Sequence, residues 1–318
     1  MLFRSLTLRN SSSHRVRGVT MLVSAQEVTP GGKASVAVPS LDVGPGEAFP
    51  LRIDLRLMSP LQAGLGPHVQ VGLDGVLFHD FSFYGPNRLD SRRSMMVWET
   101  EAQRDRQYFK SVLQAWGPDG LRRAMLDSLE RQKARPKLDV QVARGRVTTS
   151  TAFAERQAQF AFFQFPDSPL EPLRGTALLS GNEARAPHIR VRNRSSKPVR
   201  SFEIGWIVKD REGREYWAAS VPASSSEMDV RPGQTGSALQ ETTLRFAQGP
   251  NKPVVIESMT GFVSQVEFED GKIWIPNRAS LENAHLLRVV APSAEEQRLS
   301  DLYHKKGLNA LMEELKKF

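Results

Sequence analysis

Apolar and polar residues alternate with period two over much of the chain. Ile189 and Val191 stand between Arg190 and Arg192, and Phe202, Ile204, Trp206 and Val208 interleave with Glu203, Gly205, Ile207 and Lys209. Successive side chains of a strand point to opposite faces, so this pattern predicts antiparallel strands with one buried face. Further strands are predicted at 214–221, 238–246, 253–268 and 271–275, the last two joined by a hairpin turn at Glu269-Asp270-Gly271. The N-terminal part reads the same way at 2–9, 16–25, 33–39, 49–57, 68–83 and 94–98. The period then changes to that of a helix. Tyr108, Phe109, Val112, Leu113 and Trp116 share one helical face over 101–116, and Leu121, Ala124, Met125 and Leu129 another over 119–134. Asp119, after Pro118, is positioned as an N-cap. Near the C-terminus Leu299, Leu302 and Tyr303 are followed by a break at Gly307 and then by Leu308, Leu311, Met312 and Leu315.

The chain also matches itself. Leu8-Arg9-Asn10-Ser11-Ser12-Ser13-His14-Arg15-Val16-Arg17 aligns with Val191 to Arg200 at an offset of 183. Val43-Gly44-Pro45-Gly46 aligns with Val230-Arg231-Pro232-Gly233 at 187, Gly75 with Gly261 at 186, and Pro86-Asn87-Arg88 with Pro276-Asn277-Arg278 at 190. Small loop insertions produce offsets that drift in this way. The pattern predicts a mainly β protein of two tandem antiparallel β-sandwiches, each followed by a short helical appendage. The units are 1–134 and 185–318, and 135–184 is a β-rich connector able to join either. Within the connector Leu138, Val140 and Val142 alternate, and the aromatic run 158–165 reads as a strand that buries its Phe residues.

Asn193-Arg194-Ser195-Ser196-Lys197-Pro198, the strand to Val208, Asp210-Arg211-Glu212-Gly213 and Val230-Arg231-Pro232-Gly233 form an ordered set of turns around an alternating strand. This set resembles the small immunoglobulin-like sandwiches of bacterial envelope proteins, of FxLYD type. The resemblance covers 188–246 well and 6–55 more faintly. It implies a non-catalytic, envelope-associated protein in the periplasm or outside the cell. The first residues, Met1-Leu2-Phe3-Arg4 onward, carry no apolar h-region, so no signal peptide is expected and a cytoplasmic location stays open.

Composition narrows the chemistry further. With no cysteine in 318 residues, disulfides, thiolate metal sites and a Cys nucleophile are excluded. His14, His68, His79, His188, His285 and His304 show no zincin spacing. His79 and Asp80 are adjacent, and on a strand they would point to opposite faces, so no metal site is expected there. No nucleophile elbow, P-loop or dinucleotide fingerprint appears, so neither a catalytic residue nor a cofactor is expected. Asp74, Asp80, Glu99, Glu101, Glu267 and Glu269 are the acids that a third reading, a carbohydrate-active sandwich, would draw on. Asn10-Ser11-Ser12 and Asn193-Arg194-Ser195 fit the glycosylation sequon, though turn chemistry accounts for both.

The net charge of +8 is unevenly placed. Residues 88–146 hold fourteen basic and eight acidic side chains, and the remainder of the chain is nearly balanced. Arg92, Arg93, Arg104, Arg122, Arg123, Arg131 and Lys133 are therefore the candidate partner-binding residues. A solvated helix face explains them as well as a docking surface does. The partner classes in view are a protein or a second copy of the chain, then an acidic surface or lipid headgroups; no motif supports nucleic acid. The leading expectation is a non-catalytic binding or structural protein of the envelope, and the alternative is an accessory subunit docked on a larger complex through 88–146.

Overall fold

A computed structural model describes residues 2–25, 33–55, 69–144, 154–222, 228–239, 242–249 and 252–318. The expected strand ends at 56–57 and 68, the centre of 238–246, His68 and Arg146 lie outside the described residues. The described chain is mainly β, with several antiparallel sheets and three helices. It divides into two compact units, one of residues 1–103 with 293–295, the other of 104–292 with 296–318.

In the first unit β1 (Leu2–Arg9) pairs with β4 (Ala48–Leu55), and β3 (Lys33–Val38), β2 (Val16–Ala25), β5 (Val69–Phe78) and β6 (Phe83–Tyr84) form a second sheet in that order. The period-two residues Val19, Met21 and Val23 of β2 are buried in one cluster with Leu51 and Ile53 of β4 and Val76 of β5, so the two sheets share a core. Residues 94–98 are not a strand. They lie in α1 (Arg92–Ala134), whose first amide is capped by the Asn87 side chain (Arg92 N to Asn87 Oδ1, 3.0 Å). The cap and the buried Met95 and Met96 make this stretch one face of a helix.

The second unit contains β7 (Asp139–Arg144), β8 (Arg156–Gln159), β9 (Ala161–Phe162), β10 (Leu170–Ser180), β11 (Glu183–Asn193), β12 (Val199–Asp210), β13 (Glu215–Pro222), β14 (Thr235–Leu239), β15 (Thr242–Ala247), β16 (Ile256–Phe268) and β17 (Ile273–Trp274). One sheet runs β7-β15-β11-β10-β8 with β14 also on β11, and the other runs β13-β12-β16-β17 with β9 parallel to β16. The connector strands β7, β8, β9 and β10 thus complete the sheets that hold β11, β12 and β16. Phe160 is buried edge-on against Trp206, with ring centroids 4.7 Å apart. β12 is buried on both faces. Ile204, Trp206 and Val208 enter the core between the sheets, whereas Ile207 joins Phe165 and Phe262, with Leu281 of α2 (Arg278–Asn283) and Leu286 beyond it.

The strand pairs recur in both units: β1 with β4 as β11 with β14, and β3-β2-β5-β6 as β13-β12-β16-β17. So do the turns. Asn10 donates to the His14 carbonyl (2.8 Å) and the Val43 carbonyl (3.1 Å) while its Oδ1 accepts from the Ser12 amide and hydroxyl. Asn193 donates to Lys197 (2.8 Å) and Val230 (2.7 Å) and accepts from Ser195 in the same way. Both side-chain amides are buried and engaged, so neither sequon nitrogen is presented to solvent. Gly46 and Gly233, at φ 77° and 75°, close the neighbouring turns by donating to the Asn10 and Asn193 carbonyls. At the matched Gly75 and Gly261 an added Cβ would lie 2.5 Å from the Phe83 ring and 2.8 Å from the Phe162 ring, so each leaves room for an aromatic side chain.

The helices depart from the expected arrangement of one appendage per sandwich. α1 kinks at Gly117 (φ 65°) and α3 (Ala294–Lys316) at Gly307 (φ 80°). Asp119 lies within α1 beyond its kink, 3.6 Å from Arg122. In the second unit Phe109, Leu121 and Met125 of α1 are buried against Leu299, Leu311 and Leu315 of α3 in one cluster. Each apolar stripe is narrow, and the two cover one another. Trp116, expected on the buried face, is 71% exposed beside the kink. No helix among the described residues is long and apolar enough to cross a membrane.

Candidate functional site

The seven basic residues selected from sequence are divided between the two units and differ in burial. Arg92, exposed, and Arg93, half-buried, belong to the first unit. In the second, Arg104 is 3.0 Å from Asp105 and donates to the Pro276 carbonyl, and Arg131 is 3.2 Å from Glu296. Arg104 thus ties α1 to the segment before α2, and Arg131 ties α1 to α3. Arg122, Arg123 and Lys133 stay exposed on the second half of α1, where Trp116 and Leu126 are also exposed.

Arg104 and Arg131 flank a buried node. Arg278, from the matched Pro276-Asn277-Arg278 segment, lies 3.2 Å from Asp105 and 3.1 Å from Glu296, with its guanidinium 4.0 Å from the centroid of Tyr108. Burial pulls the Arg278 pKa down, but Glu296 and Asp105 outweigh it and hold the pKa above its ordinary value. Ser128 donates to Glu296 at 2.7 Å. The two terminal nitrogens of Arg278 are engaged by these carboxylates while Nε is buried without a partner, and the paired charge is a structural brace joining α1, α2 and α3. Sequence reasoning saw the repeat at Arg278 but not this role, which rests on the distant Asp105; Arg88 at the matched position is exposed.

Three of the acids available to a carbohydrate-active reading are engaged in other contacts. Asp74 is buried and accepts from the Arg88 and Leu89 amides. Glu99 is buried, 3.8 Å from Arg17, and Glu267 accepts from Ser201. A recess beside Arg17, Leu77, Trp98 and Glu99 holds only about 10 Å³, roughly the space of one water and far below the size of small-molecule sites.

A basic surface that sequence did not single out lies on the outer face of β8, β10, β11 and β14. Antiparallel pairing sets Arg174 directly opposite Arg190, with Ser237 next in the row. The adjacent rows are Gln159, Thr176, His188 and Leu239, and Glu171, Arg192 and Thr235. Arg192 is 3.6 Å from Glu171, and Arg174 and Arg190 are both exposed. Directly opposed like charges destabilise a strand pair. Leu178 and Leu239 are exposed on the same face, giving apolar points among the arginines. The signal available in sequence was the alternation of Arg190 and Arg192 with Ile189 and Val191; which basic residue faced them on β10 depended on register.

A second cluster lies in the first unit. His79 and Asp80 occupy the turn after β5, not a strand, so the opposite-face argument fails for them. With His14 from the Asn10 turn they bring three ligand-type atoms within 4.8 Å of one another, all on exposed side chains. His14 Nδ1 is 3.3 Å from Asp80 Oδ2. The Ser82 hydroxyl (2.6 Å) and amide (3.0 Å) bind Asp80 Oδ1 and hold the carboxyl below the ordinary carboxylate pKa. The His79 amide donates to the Arg15 carbonyl at 3.0 Å and ties the two turns together.

No family model matches the chain, and no curated protein matches it. Among solved structures, a putative ApaA protein from Bordetella pertussis is 15% identical at a TM-score of 0.20, spanning 38% of this chain and 85% of its own. The structural genomics target SoR45 is 12% identical at 0.20, spanning 42% and 78%. Likenesses at this level assign neither fold nor function.

Proposed function

We propose that the chain is a non-catalytic binding protein built from two copies of an immunoglobulin-like sandwich, and that it docks an acidic protein partner on the outer face of β8, β10, β11 and β14. The duplication is supported by recurrence at nearly constant offsets: the Asn10 and Asn193 turns, the strand pairs, and the glycine kinks at 117 and 307. The sandwich reading is supported by the core that each pair of sheets shares. The observation that carries the docking face is the Arg174–Arg190 cross-strand pair, exposed beside Leu178 and Leu239. An acidic partner converts that repulsion into attraction, and arginine around apolar anchors is the usual composition of an interface centre. An envelope location belongs to the same reading through the resemblance in the turns. Fractionation of the native host tests it, and recovery in the cytosol alone refutes it.

A second reading places the partner on α1, where Trp116 is exposed with Arg122 and Arg123. One experiment separates the two. Untagged full-length protein, an Arg174→Glu/Arg190→Glu variant and an Arg122→Glu/Arg123→Glu variant are compared by quantitative co-purification from the native host at rising salt. The docking proposal expects an acidic partner to be released by salt, lost from the sheet variant and retained by the helix variant. The reverse pattern supports α1, and an identical set of partners from all three refutes both.

A further inference from the structure

We propose that His14, His79 and Asp80 form a binding site for a borderline-soft divalent transition ion, of which Zn²⁺ is the type. Imidazole with one carboxylate is a ligand set suited to Zn²⁺ and Cu²⁺, whereas Mg²⁺ and Ca²⁺ favour all-oxygen cages. The spacing fits. Bonds of about 2.0–2.1 Å to a tetrahedral ion keep neighbouring ligand atoms about 3.3 Å apart, and His14 Nδ1 already stands 3.3 Å from Asp80 Oδ2. The donors lie within 4.8 Å of one another, so a rotamer adjustment of His79 completes a three-ligand face whose remaining position opens to solvent.

The supporting shell is built. Asp80 Oδ1 is occupied by Ser82, which leaves Oδ2 directed at His14. The His14 backbone is held at both ends: its carbonyl accepts from Asn10 Nδ2 (2.8 Å) and Ser12 Oγ (3.0 Å), and its amide donates to Ser12 Oγ (3.2 Å). The exposed ligands therefore sit on a backbone fixed before any ion arrives, and little ordering opposes binding.

The second unit provides an internal control. At the offsets of the repeat, Lys197 stands for His14, Glu269 for His79 and Asp270 for Asp80. The scaffold bonds recur: the Glu269 amide donates to the Pro198 carbonyl at 3.1 Å, and the Lys272 amide to Asp270 Oδ1 at 3.1 Å. There Lys197 Nζ sits 2.5 Å from Asp270 Oδ2. A cation thus already occupies the corresponding place beside the carboxylate, supplied by the chain itself. Where the first unit has an imidazole instead, an external cation can take that place, so the chain should bind one ion and not two.

Isothermal titration calorimetry of untagged full-length protein with ZnCl₂ tests this, alongside His79→Ala, Asp80→Asn and His14→Lys, which imitates the second unit. The ligands are exposed, so the variants should keep the wild-type melting temperature. Expected are one equivalent per chain saturating by roughly 100 μM Zn²⁺, no heat with MgCl₂, and a loss of affinity of roughly 10–100-fold in each variant. Added Co²⁺ should broaden the NMR signals of His14 and His79 among the six histidines. Absence of saturable binding, or binding unchanged in the three variants, overturns the site.

Discussion

Removing the Arg278 guanidinium is the sharpest perturbation of the second unit. Its side chain and those of Asp105 and Glu296 are 7%, 0% and 7% exposed, so Arg278→Ala leaves two carboxylates in place without their shared cation. Breaking a buried pair by deleting one partner typically costs about 3–5 kcal/mol. Arg104 still lies 3.0 Å from Asp105, and Arg131 and Ser128 still reach Glu296, which favours the lower end of that range. Stacking of the guanidinium on Tyr108, 4.0 Å from the ring centroid, is lost as well and moves the figure up. For a unit of this size each kcal/mol lowers the melting temperature by about 2–4 °C, so a fall of roughly 6–20 °C is expected in differential scanning calorimetry. Only the transition of the second unit should move. Arg278→Met combined with Asp105→Leu and Glu296→Met removes all three charges and should recover much of the loss. A drop worth less than about 1 kcal/mol in Arg278→Ala, or a triple variant no better than the single one, would show that the node behaves as a surface ion pair and would refute the account.

Two other expectations follow from individual contacts. Asn193→Ala removes two donated and two accepted hydrogen bonds at a fully buried position and should destabilise the second unit by about 2–3 kcal/mol in urea unfolding; an effect within error of zero would show that water replaces the side chain. Burial raises the pKa of Asp210, but bonds from the Arg214 amide, the Tyr216 hydroxyl and the Arg214 guanidinium outweigh it and hold the carboxyl below its ordinary value. A depressed folded-state pKa contributes stability that is complete above the unfolded carboxylate pKa and disappears as pH falls through the folded one. Wild type should therefore approach Asp210→Asn in stability as pH is lowered below about 4 in acid unfolding followed by fluorescence, and a constant gap between them would count against that assignment.

What could be read from the sequence was what depends on near neighbours. Asn10 with Ser12 and Asn193 with Ser195 are contacts across two residues, and the strand faces of β2 and β12 follow from a period of two. The helix start at Arg92 was missed because Met95 and Met96 look the same in a strand, although the Asn87 cap was present in the matched Pro-Asn-Arg segments. The pairing of α1 with α3 joins Phe109 to Leu299, Leu121 to Leu311 and Met125 to Leu315 in one cluster, each pair 190 positions apart. The side chains had changed between the copies, and only the glycines at 117 and 307 marked the correspondence. The basic face needed the register of β10 on β11, which no local rule supplies. His79 and Asp80 were placed on opposite faces because the strand was taken to run to 83; it stops at Phe78, and the chain turns there.

The cluster shared by α1 and α3 also sets an order of assembly. Phe109, Leu121 and Met125 are synthesised long before Leu299, Leu311 and Leu315, and β7 to β17 must be made in between. Until those later residues emerge, α1 presents an uncovered apolar stripe on a nascent chain. Closing it is a contact of high sequence separation, slow compared with forming either helix. A chain stopped before residue 299 leaves that stripe open, which makes such fragments targets for chaperones and proteases.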